Sequence, residues 1–192
     1  MRLLIQIMTF LILTLTVQSC ATFPKSKANY QLSTVNNLTR INGQYKVKAE
    51  KDSFFDSTYI GYHNAFEKFY RGKGRSNKDT MVIDNLDKYS FEIKLFENKK
   101  VELTYLKDNI SFRKLSLQYE LKDDGYVYIK NKNFKILGIP YLFGSIDIKK
   151  LRLSSIDNYL IIEEVHHNSG AILLIFGDSK TWNYTHKYER IE

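Results

Sequence analysis

The feature that most constrains the fold is an alternation of apolar and polar residues that recurs from residue 80 to the end of the chain. In the segment 89–95 the odd positions are aromatic or aliphatic and the even positions are polar, and the segments 101–105 and 115–121 repeat the pattern. Successive side chains of a β-strand point to opposite faces, so each segment predicts a strand with one buried face. Turn-forming residues such as Asp108-Asn109 and Asp123-Asp124-Gly125 separate the segments, as in antiparallel hairpins.

One segment follows a different period. Between residues 54 and 71 the aromatic residues are spaced by three, four or one positions, which places them on one side of a helix. They are Phe55, Tyr59, Tyr62, Phe66, Phe69 and Tyr70. Because the first strand is predicted at 41–49, this segment predicts one short helix inserted after that strand, which closes one end of a barrel or covers its mouth.

The segments together predict an all-β fold with about nine or ten strands. An antiparallel up-and-down barrel is the expected architecture, and a β-sandwich is the alternative, because both produce short alternating strands at regular spacing. Two interruptions are expected near the end of the chain. Lys149-Lys150 shifts the phase of the alternation and predicts a bulge or a loop, and Asn168-Ser169-Gly170 predicts a turn.

The amino-terminal residues have the organisation of an export signal. Arg2 precedes a mostly apolar run from Leu3 to Val17, and Ser19 is a small residue before Cys20. Val17-Gln18-Ser19-Cys20 resembles the lipobox of bacterial lipoproteins, although that family prefers Ala, Ser or Thr where Gln18 stands. The resemblance implies that Cys20 is the lipidation site, that it receives a diacylglycerol, and that the leader is removed before it. An uncleaved transmembrane anchor and an ordinary secretory signal are the alternatives.

The resemblance defines three regions: a lipoprotein signal peptide at 1–19, a tether at 20–38 and a β-barrel domain at 39–192. Cys20 is the only cysteine, so the domain must fold without an intrachain disulfide. Ala21 is similar to the residue that follows the cysteine in lipoproteins sorted to the outer membrane. We therefore expect a lipid-anchored protein of the bacterial cell envelope, in the outer membrane and facing the periplasm.

The predicted barrel also resembles a known family. Gly43-Gln44-Tyr45 is similar to the Gly-x-Trp motif at which lipocalins and related calycin barrels begin, and a helix after the first strand is typical of the fatty-acid-binding branch. That branch holds a carboxylate with an Arg-x-Tyr near its end. This chain has Tyr188-Glu189-Arg190 there instead, so no ligand-binding residue is carried over.

No set of residues predicts catalysis. Glu163 and Glu164 are neighbours on a predicted strand and so diverge, as do His166 and His167. A zinc site needs three or four convergent ligands, and no nucleophile motif is present. We therefore expect no enzymatic activity, no metal and no cofactor.

Two functions remain open for such a domain. In the first, the barrel binds a small hydrophobic or amphipathic ligand. In the second, it is packed solid and acts as a structural or protein-interaction module of the cell envelope, because barrels of this size accommodate either filling. The net charge of +8 does not imply a nucleic-acid partner for an exported protein, and its lysines are spread along strands. The expected partner is the membrane, through the lipid on Cys20.

Overall fold

The computed structural model describes residues 22–23, 35–50, 65–69, 85–130, 134–139, 143–172 and 176–191. Short 3₁₀ helices occupy Val35–Arg40 and Leu86–Lys88. The α-helix α1 spans Ala65–Phe69. The strands are β1 (Gly43–Lys46), β2 (Tyr89–Phe96), β3 (Lys100–Lys107), β4 (Ile110–Leu121), β5 (Val127–Lys130), β6 (Phe134–Ile139), β7 (Phe143–Ile156), β8 (Tyr159–Ile172) and β9 (Phe176–Glu189).

All nine strands belong to one antiparallel sheet. Eight of them pair in the order β1-β2-β3-β4-β5-β7-β8-β9, and β6 pairs with β7. The sheet curls into a half-barrel, so the predicted all-β, up-and-down, barrel-like fold is confirmed. The described part of the predicted helical segment is α1, which lies between β1 and β2 as expected. The rest of that segment lies outside the described residues.

Two of the predicted turns show why these residues suit a hairpin. Asp108 and Asn109 both adopt positive φ, at 49° and 63°, and join β3 to β4. Two consecutive residues with positive φ form the turn whose twist matches that of paired strands, and Asn and Asp tolerate this conformation well. Asp123-Asp124-Gly125 likewise joins β4 to β5, with Gly125 at φ 78°. Both predicted turns are confirmed.

The two edge strands of the curled sheet meet at one end. Tyr45 of β1 and Arg190, which follows β9, form an antiparallel bridge, and the Ile191 amide donates to the Gln44 carbonyl over 2.7 Å. The Arg190 guanidinium lies over the Tyr45 ring and donates to its hydroxyl at 2.8 Å and to the Arg40 carbonyl. This cation–π and hydrogen-bonded clamp joins the first strand to the last.

The core lies on the concave face and is centred on Phe91. Four rings surround it: Tyr45, Phe69, Tyr105 and Tyr188, with ring-centroid distances between 5.6 and 6.5 Å. Phe69 comes from α1, so the helix packs against the inner face of the sheet. Aromatic pairs at such distances stabilise a core beyond the area that they bury.

Two predictions for the last three strands are wrong. β7 passes through Lys149-Lys150 with continuous pairing to β8, and β8 passes through Asn168-Ser169-Gly170 with partners on both sides. The phase shift in β7 does not need a bulge, because apolar residues before Lys149 and after Lys150 lie on opposite faces of the same strand. The turn residues in β8 are held extended by ladder hydrogen bonds to two neighbouring strands, which outweigh local turn preference.

Candidate functional site

The inner face of β8 and β9 changes from apolar to polar along its length. At one end Leu160 lies opposite Tyr188 and Ile162 opposite His186. Further along, the register places Glu164 opposite Tyr184, and then His166 opposite Trp182. The four β9 residues Trp182, Tyr184, His186 and Tyr188 therefore share one face, as their spacing of two predicts. This face offers both apolar and hydrogen-bonding surface.

A buried charged cluster lies at the centre of this face. The Glu164 carboxylate accepts a hydrogen bond from the Lys149 ammonium at 2.8 Å and another from the Lys68 ammonium at 3.0 Å, one on each oxygen. The relative exposures of Lys68, Lys149 and Glu164 are only 4%, 7% and 5%. Lys68 also lies 5.7 Å from the centre of the Tyr184 ring. We call Lys68, Lys149 and Glu164 the buried charge cluster.

Three separate elements supply the buried charge cluster. Lys149 is on β7 and Glu164 on β8, where Lys149 is diagonal to Glu164 across the strand pair. Lys68 comes from α1, one residue before Phe69, which packs against Phe91. The core contact of Phe69 thus fixes the helix that carries Lys68. A sequence pattern does not reveal this contact, because the two residues are 96 positions apart.

The electrostatics of the cluster favour the ionised carboxylate. Burial raises the pKa of the Glu164 carboxyl, but the charges and hydrogen bonds of Lys149 and Lys68 outweigh that effect, so its pKa lies below the ordinary value. Two ammonium groups share this one carboxylate. Among the described residues, the buried charge cluster therefore holds more positive than negative charge. Lysine is rarely buried without such a partner, and charged hydrogen bonds are among the strongest in proteins.

Glu163 and Glu164 diverge as predicted. Glu163 lies on the outer face, where its carboxylate accepts two hydrogen bonds from Arg152, at 2.7 and 3.2 Å. Burial lowers the pKa of the Arg152 guanidinium, but the hydrogen bonds that it donates to Glu163 and Tyr128 outweigh this effect and leave the pKa above its ordinary value. The two carboxylates have separate partners on opposite faces of the sheet, which is not the arrangement of a general acid–base pair.

His166 and His167 have ordinary hydrogen-bond partners. His166 Nε2 lies 2.9 Å from an Asp147 carboxylate oxygen on the inner side, and its ring packs on Trp182 at 5.3 Å. His167 points the other way, to the Thr181 hydroxyl at 2.8 Å. Their divergence is thus confirmed. Among the residues that the structure describes, no three His, Cys, Asp or Glu side chains converge as metal ligands.

A groove of about 840 Å³ lies outside this face, beside the seam of β1 and β9. Charged residues of both signs line it, among them Lys46, which pairs with Glu189 at 2.5 Å. Apolar residues in its wall include Leu86 and Tyr89. It is open to solvent and its charges offset each other, so its lining favours no single ligand charge.

The predicted lipidation site, Cys20, and the apolar run before it lie outside the described residues. Within the described ranges no helix is long and apolar enough to cross a membrane. Comparison with protein-family models, curated proteins and solved structures finds no match. The functional argument therefore depends on the residues of this chain alone.

Proposed function

We propose that the chain is a lipid-anchored lipoprotein of the bacterial cell envelope, held in the membrane by Cys20, whose calycin-like barrel binds a small amphipathic ligand without catalysing a reaction. The lipobox resemblance and Ala21 support an outer-membrane anchor facing the periplasm. The up-and-down antiparallel strands and the helix after β1 support the calycin-like assignment.

The observation that carries the ligand-binding proposal is the buried charge cluster. The two ammonium groups of the buried charge cluster complement an anionic head group such as a carboxylate or a phosphate, since an added anion pairs with charge that is already desolvated. Tyr184 and Trp182 lie on the same face and provide amphipathic rings beside the ion. Small-molecule sites combine such apolar walls with a few placed polar groups.

A second candidate is a solid-packed structural or protein-interaction module. The rings around Phe91 favour it, because they fill the concave face between β1, β2, β3 and β9 with side chains. In that case the buried charge cluster is structural and links α1 to the sheet. The two candidates differ in whether the concave face takes up an external anion.

The test is a titration of the detergent-purified full chain with a dansyl-labelled undecanoic acid and with its neutral methyl ester. We expect Lys149→Met to weaken binding of the acid by roughly 10–100-fold, the equivalent of losing one charged hydrogen bond. Binding of the ester should stay unchanged. Lys149→Met leaves Glu164 paired with Lys68, so the fold should persist, and a urea unfolding curve checks this.

Lys130→Met is the matched control, because Lys130 is an exposed lysine of β5 paired with Glu120 on the outer face. It should bind both probes as the wild type does. If the wild type binds neither probe and nothing is released by lipid extraction, the ligand proposal fails and the solid-packed module stands. Equal weakening by both variants would show attraction to the general surface charge instead.

The anchor has its own test. Replacing Cys20 with Ala should release the protein from membranes and abolish metabolic labelling with palmitate, because the thiol that would carry the lipid is gone. The acyl chains on Cys20 would supply most of the protein's affinity for the membrane, since each buried methylene adds about 0.8 kcal/mol. Membrane fractionation of wild type and variant measures the change. Continued membrane association of Cys20→Ala would instead favour a transmembrane anchor.

A further inference from the structure

Phe23, within the predicted tether, packs on the outer face of the sheet. Its ring meets the Tyr128 ring edge to face, with centroids 5.6 Å apart and planes at 79°. The Arg152 guanidinium carbon lies 4.5 Å from the centre of the Phe23 ring. The same guanidinium lies 3.9 Å from the centre of the Tyr126 ring. Arg152 is therefore in contact with an aromatic ring of the amino-terminal segment and with one of the sheet.

The Arg152 guanidinium is held in position for its contact with the Phe23 ring. Glu163 holds it by two hydrogen bonds, and both side chains are buried although they lie on the convex face. A guanidinium that is desolvated and oriented by a carboxylate makes stronger cation–π contacts than one in water. We call Tyr126, Tyr128 and Arg152 the Phe23 dock. The contact joins the segment after Cys20 to β5 and β7.

The contact made by Phe23 is relevant to the membrane anchor because Phe23 lies close to Cys20 along the chain. Phe23 follows Cys20 by three residues, and three residues span at most about 11 Å. A free tether from Cys20 to residue 38 would have a root-mean-square length of roughly 20–25 Å. The contact at Phe23 thus shortens the tether between lipid and domain by about half. It also fixes the point on the domain surface at which the tether begins.

We propose that Phe23 orients the domain on the bilayer, so that the outer face of β5 and β7 lies toward the lipid head groups. This rests on the proposed lipid anchor at Cys20. The occupant of that face is an anionic lipid surface. Lys122 is exposed there, 4.2 Å from the centre of the Tyr128 ring, and the exposed Lys130 beside it pairs with Glu120 at 3.2 Å. Ammonium groups near a negative membrane surface are attracted to it.

The test measures the depth of two sites in the lipidated full chain, reconstituted in vesicles of phosphatidylethanolamine and phosphatidylglycerol. A bimane label is placed at Lys130→Cys on β5 or at Lys94→Cys on β2, whose side chains are similarly exposed at 53% and 55%. Lipids with a nitroxide on the head group act as quenchers. We expect strong quenching at position 130 and background quenching at position 94. Equal quenching at both positions would overturn the proposal.

Phe23→Ala should remove the difference between the two labels, because the contact that fixes the domain close to Cys20 is then lost. Phe112→Ala, which truncates an exposed ring of β4 away from the dock, should preserve it. If Phe23→Ala keeps the difference, docking by Phe23 does not set the orientation.

A measurement without membranes separates this inference from the anchor. In the Cys20→Ala background, Phe23→Ala and Arg152→Lys are combined in a double-mutant cycle of thermal unfolding. Residues in contact give non-additive shifts, so we expect the double variant to unfold within about 1 °C of Arg152→Lys alone, while Phe23→Ala alone shifts the midpoint by roughly 2–4 °C. Additive shifts would refute the dock, and palmitate labelling of the wild type tests the anchor independently.

Discussion

Replacement of Glu164 with Gln is expected to lower the free energy of unfolding by about 3–5 kcal/mol, the usual cost of removing one partner from a buried ion pair. The ammonium groups of Lys68 and Lys149 then remain buried without a counter-charge from this position. The neutral amide has a similar shape, so the loss reports charge rather than volume. Urea denaturation at pH 7 measures it, and the total stability of a domain is only about 5–15 kcal/mol.

Glu120→Gln is the matched control for this change. Glu120 pairs with Lys130 at 3.2 Å, but both side chains are about half exposed. Exposed pairs contribute about 0–1 kcal/mol, so this variant should stay close to the wild type. If Glu164→Gln has an equally small effect, water or another group compensates the two lysines, and the buried charge cluster is not a desolvated site.

The difference in stability between the wild type and Glu164→Gln depends on pH, and the sign of this dependence is defined. The pKa of Glu164 is lower in the folded state than in the unfolded chain, so its ionisation stabilises the fold above the unfolded value of about 4.3. That stability is lost as the pH falls through the folded pKa. The difference between wild type and Glu164→Gln should therefore be full at neutral pH and should shrink below pH about 4.3. A constant difference down to pH 2 would contradict the assigned pKa direction.

Phe91→Ala is expected to cost about 3–5 kcal/mol, the range for truncating a buried aromatic residue. Phe91 is fully buried and contacts four rings, from β1, β3, the end of β9 and α1. The cavity would remain because the surrounding rings belong to different elements that cannot all collapse inward. Thermal and urea unfolding measure the loss.

Phe96→Ala on the same strand is the control. Phe96 is 42% exposed on the outer face, so its truncation should change the stability by no more than about 0.5–1 kcal/mol. Similar costs for both variants would mean that Phe91 is not the centre of the core. Since Phe69 of α1 packs on Phe91, the larger loss should be accompanied by release of the helix that carries Lys68.

The alternation of residues was sufficient to predict the class of fold. Segments 89–95 and 115–121 bury one face, and a period of two is the direct consequence of strand geometry. The same pattern correctly predicted that Glu163 and Glu164 point to opposite faces of the sheet, and that His166 and His167 do so as well. These relations depend on neighbours along one strand, which the sequence orders explicitly.

The continuity of the long strands at the end of the chain could not be predicted from local sequence. Asn168-Ser169-Gly170 has the composition of a turn, yet β7 and β9 hold it extended on either side. Lys149-Lys150 has the composition of a break, yet Lys149 is buried because Glu164 is its partner. In both cases a neighbouring strand, rather than local preference, decided the conformation.

The sequence by itself determined an antiparallel barrel-like sheet with a helix after the first strand, because periodicity and turn chemistry are local properties. It also predicts Cys20 as the lipid-bearing residue, which remains a prediction. Only the tertiary structure brought Lys68 to Glu164 and Phe23 to Arg152. Those contacts join residues 96 and 129 positions apart, and their proximity depends on the register of the strands and on the curl of the sheet, which no local pattern encodes.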